Sequence, residues 1–150
     1  DRPGVSSRPA DSAEAQKTRQ PRWIRGVTPA HGRLATHLGP GDRRELPHDA
    51  GFPLELVFNL SDYYYAEPWY YGVSHGMAFV QMFREKDQVR LSQSPSGGGA
   101  GNPAWDFQWF IPDYQVGAAY GFVMRAAYLP YESREQIERD TRRHREALNR

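Results

Sequence analysis

The chain has 150 residues, of which 39% are hydrophobic and 25% charged, with no cysteine and a formal net charge of +1. Such a length admits one small domain, the lack of thiols excludes disulfide staples, thiolate metal sites and cysteine nucleophiles, and no stretch approaches the roughly 18 apolar residues of a membrane span. Residues 1–50 hold nine Lys/Arg against six Asp/Glu while residues 51–131 hold four against seven, and so mild an acidity on the central unit argues against a phosphate-binding surface there and against nucleic acid as a partner.

Residues 1–20 mix Pro, Ser, Ala and charge around a single large apolar group, Val5, and are expected to be disordered because they cannot offset the entropy of ordering. They contain no apolar core of a signal peptide. The chain starts at Asp1, which reads as a trimmed chain or a fragment of a longer secreted or envelope protein. Its localisation stays open, with an extracellular or cell-envelope setting favoured. From Pro21 to Gly51 the sequence is rich in Pro and Gly, with one short strand at Trp23–Val27 in a segment that drapes over the main unit.

Period-two alternation then marks strands at residues 54–59, 89–92, 104–111 and 120–128, and residues 77–83, apolar on both faces apart from Gln81, read as another, with Pro112–Gly117 as the connection between the last two alternating strands. Ser133 and Gln136 have the spacing of a capping box, predicting a helix from about Arg134 to Leu148. Its apolar stripe is thin, Ile137 and Leu148 beside Thr141 and His144, which suggests a helix that frays or rests on an absent partner. The division is a tail at 1–20, a β domain at 21–131 whose aromatic-rich part spans 52–131, and a polar helix at 132–150. The expected fold is mainly β: an antiparallel β-sandwich of about five to seven strands with one C-terminal α-helix and a disordered N-terminus.

Several short motifs resemble chemistry. Gly72-Val-Ser-His-Gly76 matches the G-x-S-x-G nucleophile elbow, but the hydrolase order needs an acid and then a histidine after the serine, and after His75 only His144 remains. A glycine-flanked turn into the next strand explains the match. Gly99-Ala-Gly-Asn-Pro-Ala104 fits a dinucleotide fingerprint, yet Pro103 leads into a strand instead of opening a helix, so a flexible loop is the reading. The five histidines lack zinc-helix spacing; His31, His37 and His48 with Asp49 form at most a loop cluster, and neither metal nor cofactor is expected. The sequon Asn59-Leu-Ser61 is too short a pattern to carry weight.

Of the 20 aromatic residues, 19 lie between Phe52 and Tyr131, most densely in Asp62-Tyr-Tyr-Tyr-Ala-Glu-Pro-Trp-Tyr-Tyr71. Neighbours on a strand alternate and Pro68 interrupts pairing, so these rings are not all expected to point inward. Exposed Tyr and Trp suit stacking on sugar rings or packing against another protein. The candidate ligand-binding residues are therefore Tyr63, Tyr64, Tyr65, Trp69, Tyr70 and Tyr71, with Asn102 and Trp105 nearby. Asp62, Glu67, His75 and Asp106 are candidate catalytic groups, because paired carboxylates serve glycoside hydrolysis as acid and base; as plain structural residues they cap a turn, meet Arg84 or Arg125, or point outward. The composition thus points to a non-catalytic module that recognises a polysaccharide or oligosaccharide. The alternatives are a carbohydrate-active hydrolase or lyase, and a structural domain that docks another protein chain or missing parts of its own.

Overall fold

A computed structural model of the chain describes residues 22–27, 35–46, 60–95 and 103–150. The expectations for residues 1–20, for the 54–59 strand, for the glycine loop at 97–102 with Asn102, and for His31, His48, Asp49 and Asn59 lie outside the described residues. In chain order the elements are β1 (Arg22–Val27), β2 (Ala35–Leu38), β3 (Leu60–Ser74), β4 (Met77–Phe83), a 3-10 turn (Glu85–Asp87), β5 (Arg90–Pro95), β6 (Pro103–Gln108), β7 (Met124–Pro130) and α1 (Arg134–Leu148).

The aromatic run is the spine. Aromatic and β-branched residues favour extended backbone, and β3 is 15 residues long. Tyr64 pairs with both Trp23 of β1 and Leu38 of β2, and Tyr70 pairs with both Gly26 of β1 and Gln81 of β4. A strand has one neighbour on each side, so β2 and β4 share the edge opposite β1, the first along the start of β3 and the second along its end. The ladder with β1 steps from Ile24↔Tyr65 to Gly26↔Tyr70, leaving surplus residues of β3 to bulge around Pro68, whose missing N–H cannot serve a ladder.

The result is one mixed sheet of seven strands, ordered β6-β5-β2-β3-β4-β7 with β1 on the far edge of β3. Both β1 and β2 run parallel to β3 while the other pairs are antiparallel. Where the sequence predicts an antiparallel sandwich, the strands instead share one ladder that forks at β3 and curls like half a barrel. The two arms, β2-β5-β6 and β4-β7, meet again across the fork: Phe83 lies 5.0 Å from Phe107, and Gln81 Nε2 donates to the Trp105 carbonyl at 2.9 Å.

Two cores follow from this curl. Between the arms, Tyr65, Tyr70, Phe83, Val89 and Leu91 are buried, with Trp105, Phe107, Phe122 and Met124 packed against them. On the other side of β4, Trp69, Tyr71, Ala78, Val80 and Met82 receive Ile137 and Leu148 of α1. The helix is docked, contrary to the fraying that its thin stripe suggests. Ile137 and Thr141 are fully buried, and the Thr141 hydroxyl donates to the Ile137 carbonyl at 2.7 Å, so its polarity is met within the helix. The cap forms as expected, Gln136 N donating to Ser133 Oγ at 3.1 Å. Gln136 Oε1, however, accepts from Glu132 N at 3.4 Å, one residue before the N-cap.

Several strand boundaries differ from the sequence pattern, among them β5, which runs to Pro95 and not to Ser92, and β7, which runs to Pro130 and not to Tyr128. The last strand starts at Met124 and not at Tyr120, and β6 ends at Gln108 and not at Ile111. In both places the chain leaves the ladder to wrap the inter-arm core, where Trp109 and Phe122 lie 5.1 Å apart.

Candidate functional site

The structure divides the aromatic run between two interiors and one surface. Tyr65, Trp69, Tyr70 and Tyr71 are 5%, 3%, 1% and 2% exposed. The reason is local: successive residues of β3 face opposite sides, and both sides are covered, one by α1 and the other by the β5-β6 arm. The buried hydroxyls of Tyr65 and Tyr70 find fixed partners. Tyr65 donates its hydroxyl to the Val89 carbonyl and Tyr70 to the Asp106 backbone carbonyl. Burial pushes both phenols far above the usual tyrosine range, and that of Tyr71 to about 12. These four rings belong to the interior.

Trp105, half-buried, packs against this interior. Its indole fills the space that a side chain at Gly72 would take. Trp69 is held on three sides. Its Nε1 donates to Glu67 Oε2 at 2.9 Å, the Arg145 guanidinium sits 4.3 Å from its ring centroid, and Gly26, with φ +70°, admits the ring where a Cβ would stand 2.4 Å from Cη2.

Tyr63 and Tyr64 remain half-buried. Arg22 lies 4.4 Å over the Tyr63 ring, leaving that face occupied. Tyr64 pairs in register with Trp23, the two rings 5.8 Å apart and tilted by 52°. Trp23 is 51% exposed. Asp62, two residues before Tyr64 on β3, is exposed on the same strand face. Trp23, Tyr64 and Asp62 therefore form an open aromatic platform with a carboxylate at its border. Trp23 was not among the sequence candidates, since it is the one aromatic residue outside the 52–131 cluster; only the parallel pairing of β1 with β3, a contact between distant segments, brings it to Tyr64.

The four candidate catalytic groups are not brought together. Asp62 lies near the start of β3 and Glu67 at its bulge. His75 sits past its far end, so that about a dozen residues of strand, at roughly 3.3 Å each, separate Asp62 from His75. Glu67 takes Arg145 Nη1 at 2.6 Å, a different arginine from the Arg84 or Arg125 expected. Asp106, half-buried on β6, pairs with Ser92. His75 and Gly76 have φ of 51° and 74°, the two positive values of a type I′ hairpin turn between β3 and β4. The serine–histidine pair is real, with Ser74 Oγ 2.8 Å from His75 Nδ1, but it stands exposed at a hairpin tip.

A buried polar layer joins β2, β5 and the end of β6. Thr36 Oγ1 and Ser92 Oγ are 2.9 Å apart, and Gln108 Nε2 donates to both at 3.1 and 2.8 Å. His37 is fully buried beside them in sequence, and burial lowers its pKa to about 4 against a smaller opposing effect of the Tyr63 backbone. Asp42 accepts from Arg90 Nε at 2.9 Å and Arg44 Nη2 at 2.8 Å. Burial works to raise its pKa, and these arginine hydrogen bonds outweigh burial, holding the carboxyl well below the usual range. Among the described residues no group of three or more His, Cys, Asp or Glu is arranged to hold a metal ion, and no helix is long and apolar enough to cross a membrane. Compared with known proteins, the chain matches no family model, no curated protein and no solved structure.

Proposed function

We propose that the protein is a non-catalytic module that recognises a polysaccharide or oligosaccharide on the Trp23–Tyr64 platform. The observation that carries this is the half exposure of Trp23 directly beside Tyr64. An indole left in water on a folded surface forgoes burial worth about 2 kcal/mol, and its apolar face suits the C–H face of a pyranose. The Tyr64 hydroxyl gives the platform a polar edge of the kind that hydrogen-bonds sugar hydroxyls. In this reading the two arms act as the layers of a sandwich-like support for β3, whose start presents the pair. Affinity electrophoresis against a polysaccharide panel, followed by a glycan array, tests it: wild type is retarded, and Trp23→Ala and Tyr64→Ala each weaken binding about tenfold or more. A wild type that binds no glycan, or variants that bind as well as wild type, ends the reading.

A second reading, docking of another protein chain, has one observation of its own. Leu60, 38% exposed, lies four residues before Tyr64 on β3 and extends the apolar surface. Sedimentation analysis with Leu60→Glu separates the two, because self-association removed by that change favours a protein partner. The hydrolase or lyase alternative has the least support, since its carboxylates are dispersed; turnover of a polysaccharide that is lost in Asp106→Asn or Glu67→Gln would restore it.

A further inference from the structure

The count of charges over residues 51–131 hides a local excess of cations that only folding assembles. Between the 3-10 turn, the start of β7 and the last turn of α1 lies an open cavity of about 740 Å³, whose charged side chains are Arg84, Lys86, Arg125 and Arg150 with one acidic side chain, Glu85. Arg84 is already neutralised, with Nε and Nη2 each 2.8 Å from a carboxylate oxygen of Asp87. The other three cations make no salt bridge to a described residue.

Arg125 is placed against another base. Its Nη1 lies 3.0 Å from His144 Nδ1, and Arg143 Nε approaches the second nitrogen of the same ring at 3.4 Å. Two guanidiniums thus flank one imidazole. Neither makes a salt bridge to a described residue. The C-terminal carbonyls of α1 attract cations, but Asn149 already satisfies two of them, its N donating to Glu146 O at 3.2 Å and its Nδ2 to Arg145 O at 3.1 Å. The helix end therefore does not account for the whole cluster.

We propose that this cavity binds the phosphate or sulfate group of a small ligand, with Lys86 and Arg125 as its principal contacts. An oxyanion offers several acceptor oxygens to donors of both kinds, the compact ammonium of Lys86 and the planar fork of Arg125. The volume exceeds what one such group fills and falls within the range of small-molecule sites, leaving room for the moiety esterified to it. This site is separate from the platform, and its test does not depend on glycan binding.

The test is an amide-resolved NMR titration of the intact chain with potassium phosphate, potassium sulfate and potassium chloride at matched ionic strength. Saturable shifts with phosphate or sulfate, confined to the amides of residues 84–88, 123–125 and 147–150, are the expected result, and the tighter of the two anions identifies the ester class. Lys86→Gln and Arg125→Gln each weaken binding roughly tenfold, whereas Arg139→Gln, whose partner is Asp140, binds as wild type does. Shifts no different from those in chloride overturn the proposal on the wild-type protein alone. So does undiminished affinity in both variants, or a drop in melting temperature of Arg125→Gln without anion binding by the wild type, which would assign the cations to the helix terminus.

Discussion

The indole of Trp105 occupies the place of a side chain at Gly72: a Cβ built there would stand 1.6 Å from Cε2 and 1.8 Å from Cζ2. This contact joins the arm that ends in β6 to the strand from which the sheet forks, so it closes the curl. An overpacked methyl commonly costs 1–3 kcal/mol and sometimes more, and here the obstacle is a rigid ring. Gly72→Ala is expected to destabilise by about 3 kcal/mol or more in denaturant unfolding. Trp105→Ala alone is also costly, but in its background Gly72→Ala becomes nearly neutral, a coupling that a double-mutant cycle reads directly. Additive losses would mean that the arms do not meet there.

Arg90 is 3% exposed and depends on Asp42, itself 8% exposed. The two arginine side chains share one carboxylate, which also accepts from Arg44 N at 3.1 Å. Removing one partner of a buried pair leaves an uncompensated charge and costs about 3–5 kcal/mol. Asp42→Asn is therefore expected to lower stability by that order, and the Asp42→Asn, Arg90→Met double variant to recover part of it. Since the folded carboxyl titrates below its ordinary value, its contribution is complete above the ordinary carboxylate range and is lost as pH falls further.

His37 acts in the same direction at higher pH. Burial lowers its pKa from 6.5 to about 4, so below 6.5 the unfolded chain takes up a proton that the folded chain refuses. Stability then falls as pH falls from about 6.5 to about 4, by roughly 3 kcal/mol, and the limb of Asp42 follows directly below it. His37→Gln should remove this upper limb and leave the acid limb of Asp42. Parallel pH profiles of the two proteins would show that His37 stays solvated.

Local signals carried much of this fold. The β1 strand, the β4 strand, the turn at His75-Gly76 and the Ser133 cap each follow from a few neighbouring residues, and each stands where the sequence puts it. What the sequence did not disclose is non-local. Thr36 and His37 look like loop residues, yet β2 is buried because Ser92 and Gln108 meet Thr36 from other strands. The alternation of Tyr65, Trp69, Tyr70 and Tyr71 argues for exposed rings only if one face of β3 is open, and the helix and the β5-β6 arm cover both. Conversely, Trp23 carries no sequence sign of a site until β1 lies beside β3.

The docking of α1 is the sharpest case, because composition argues against it. Residues 132–150 hold six arginines and five acids, and the buried face comes down to Ile137, Thr141 and Leu148 with Gln136 at its edge. Arg145 extends that face by laying its guanidinium over Trp69 while bonding Glu67; Glu67 is well exposed, so the ion pair itself adds little. The apolar anchor must then hold the helix. Ile137→Ala should cost about 2–4 kcal/mol, Ser133→Ala about 1 kcal/mol, and Arg145→Lys less than either, since a lysine keeps the charge over the ring. Amide exchange in the turn from Ile137 to Thr141 should be as slow as in β4, because the helix opens only when the core beneath it does. Fast exchange there, together with an Ile137→Ala loss below about 1 kcal/mol, would return α1 to the frayed helix its composition suggests.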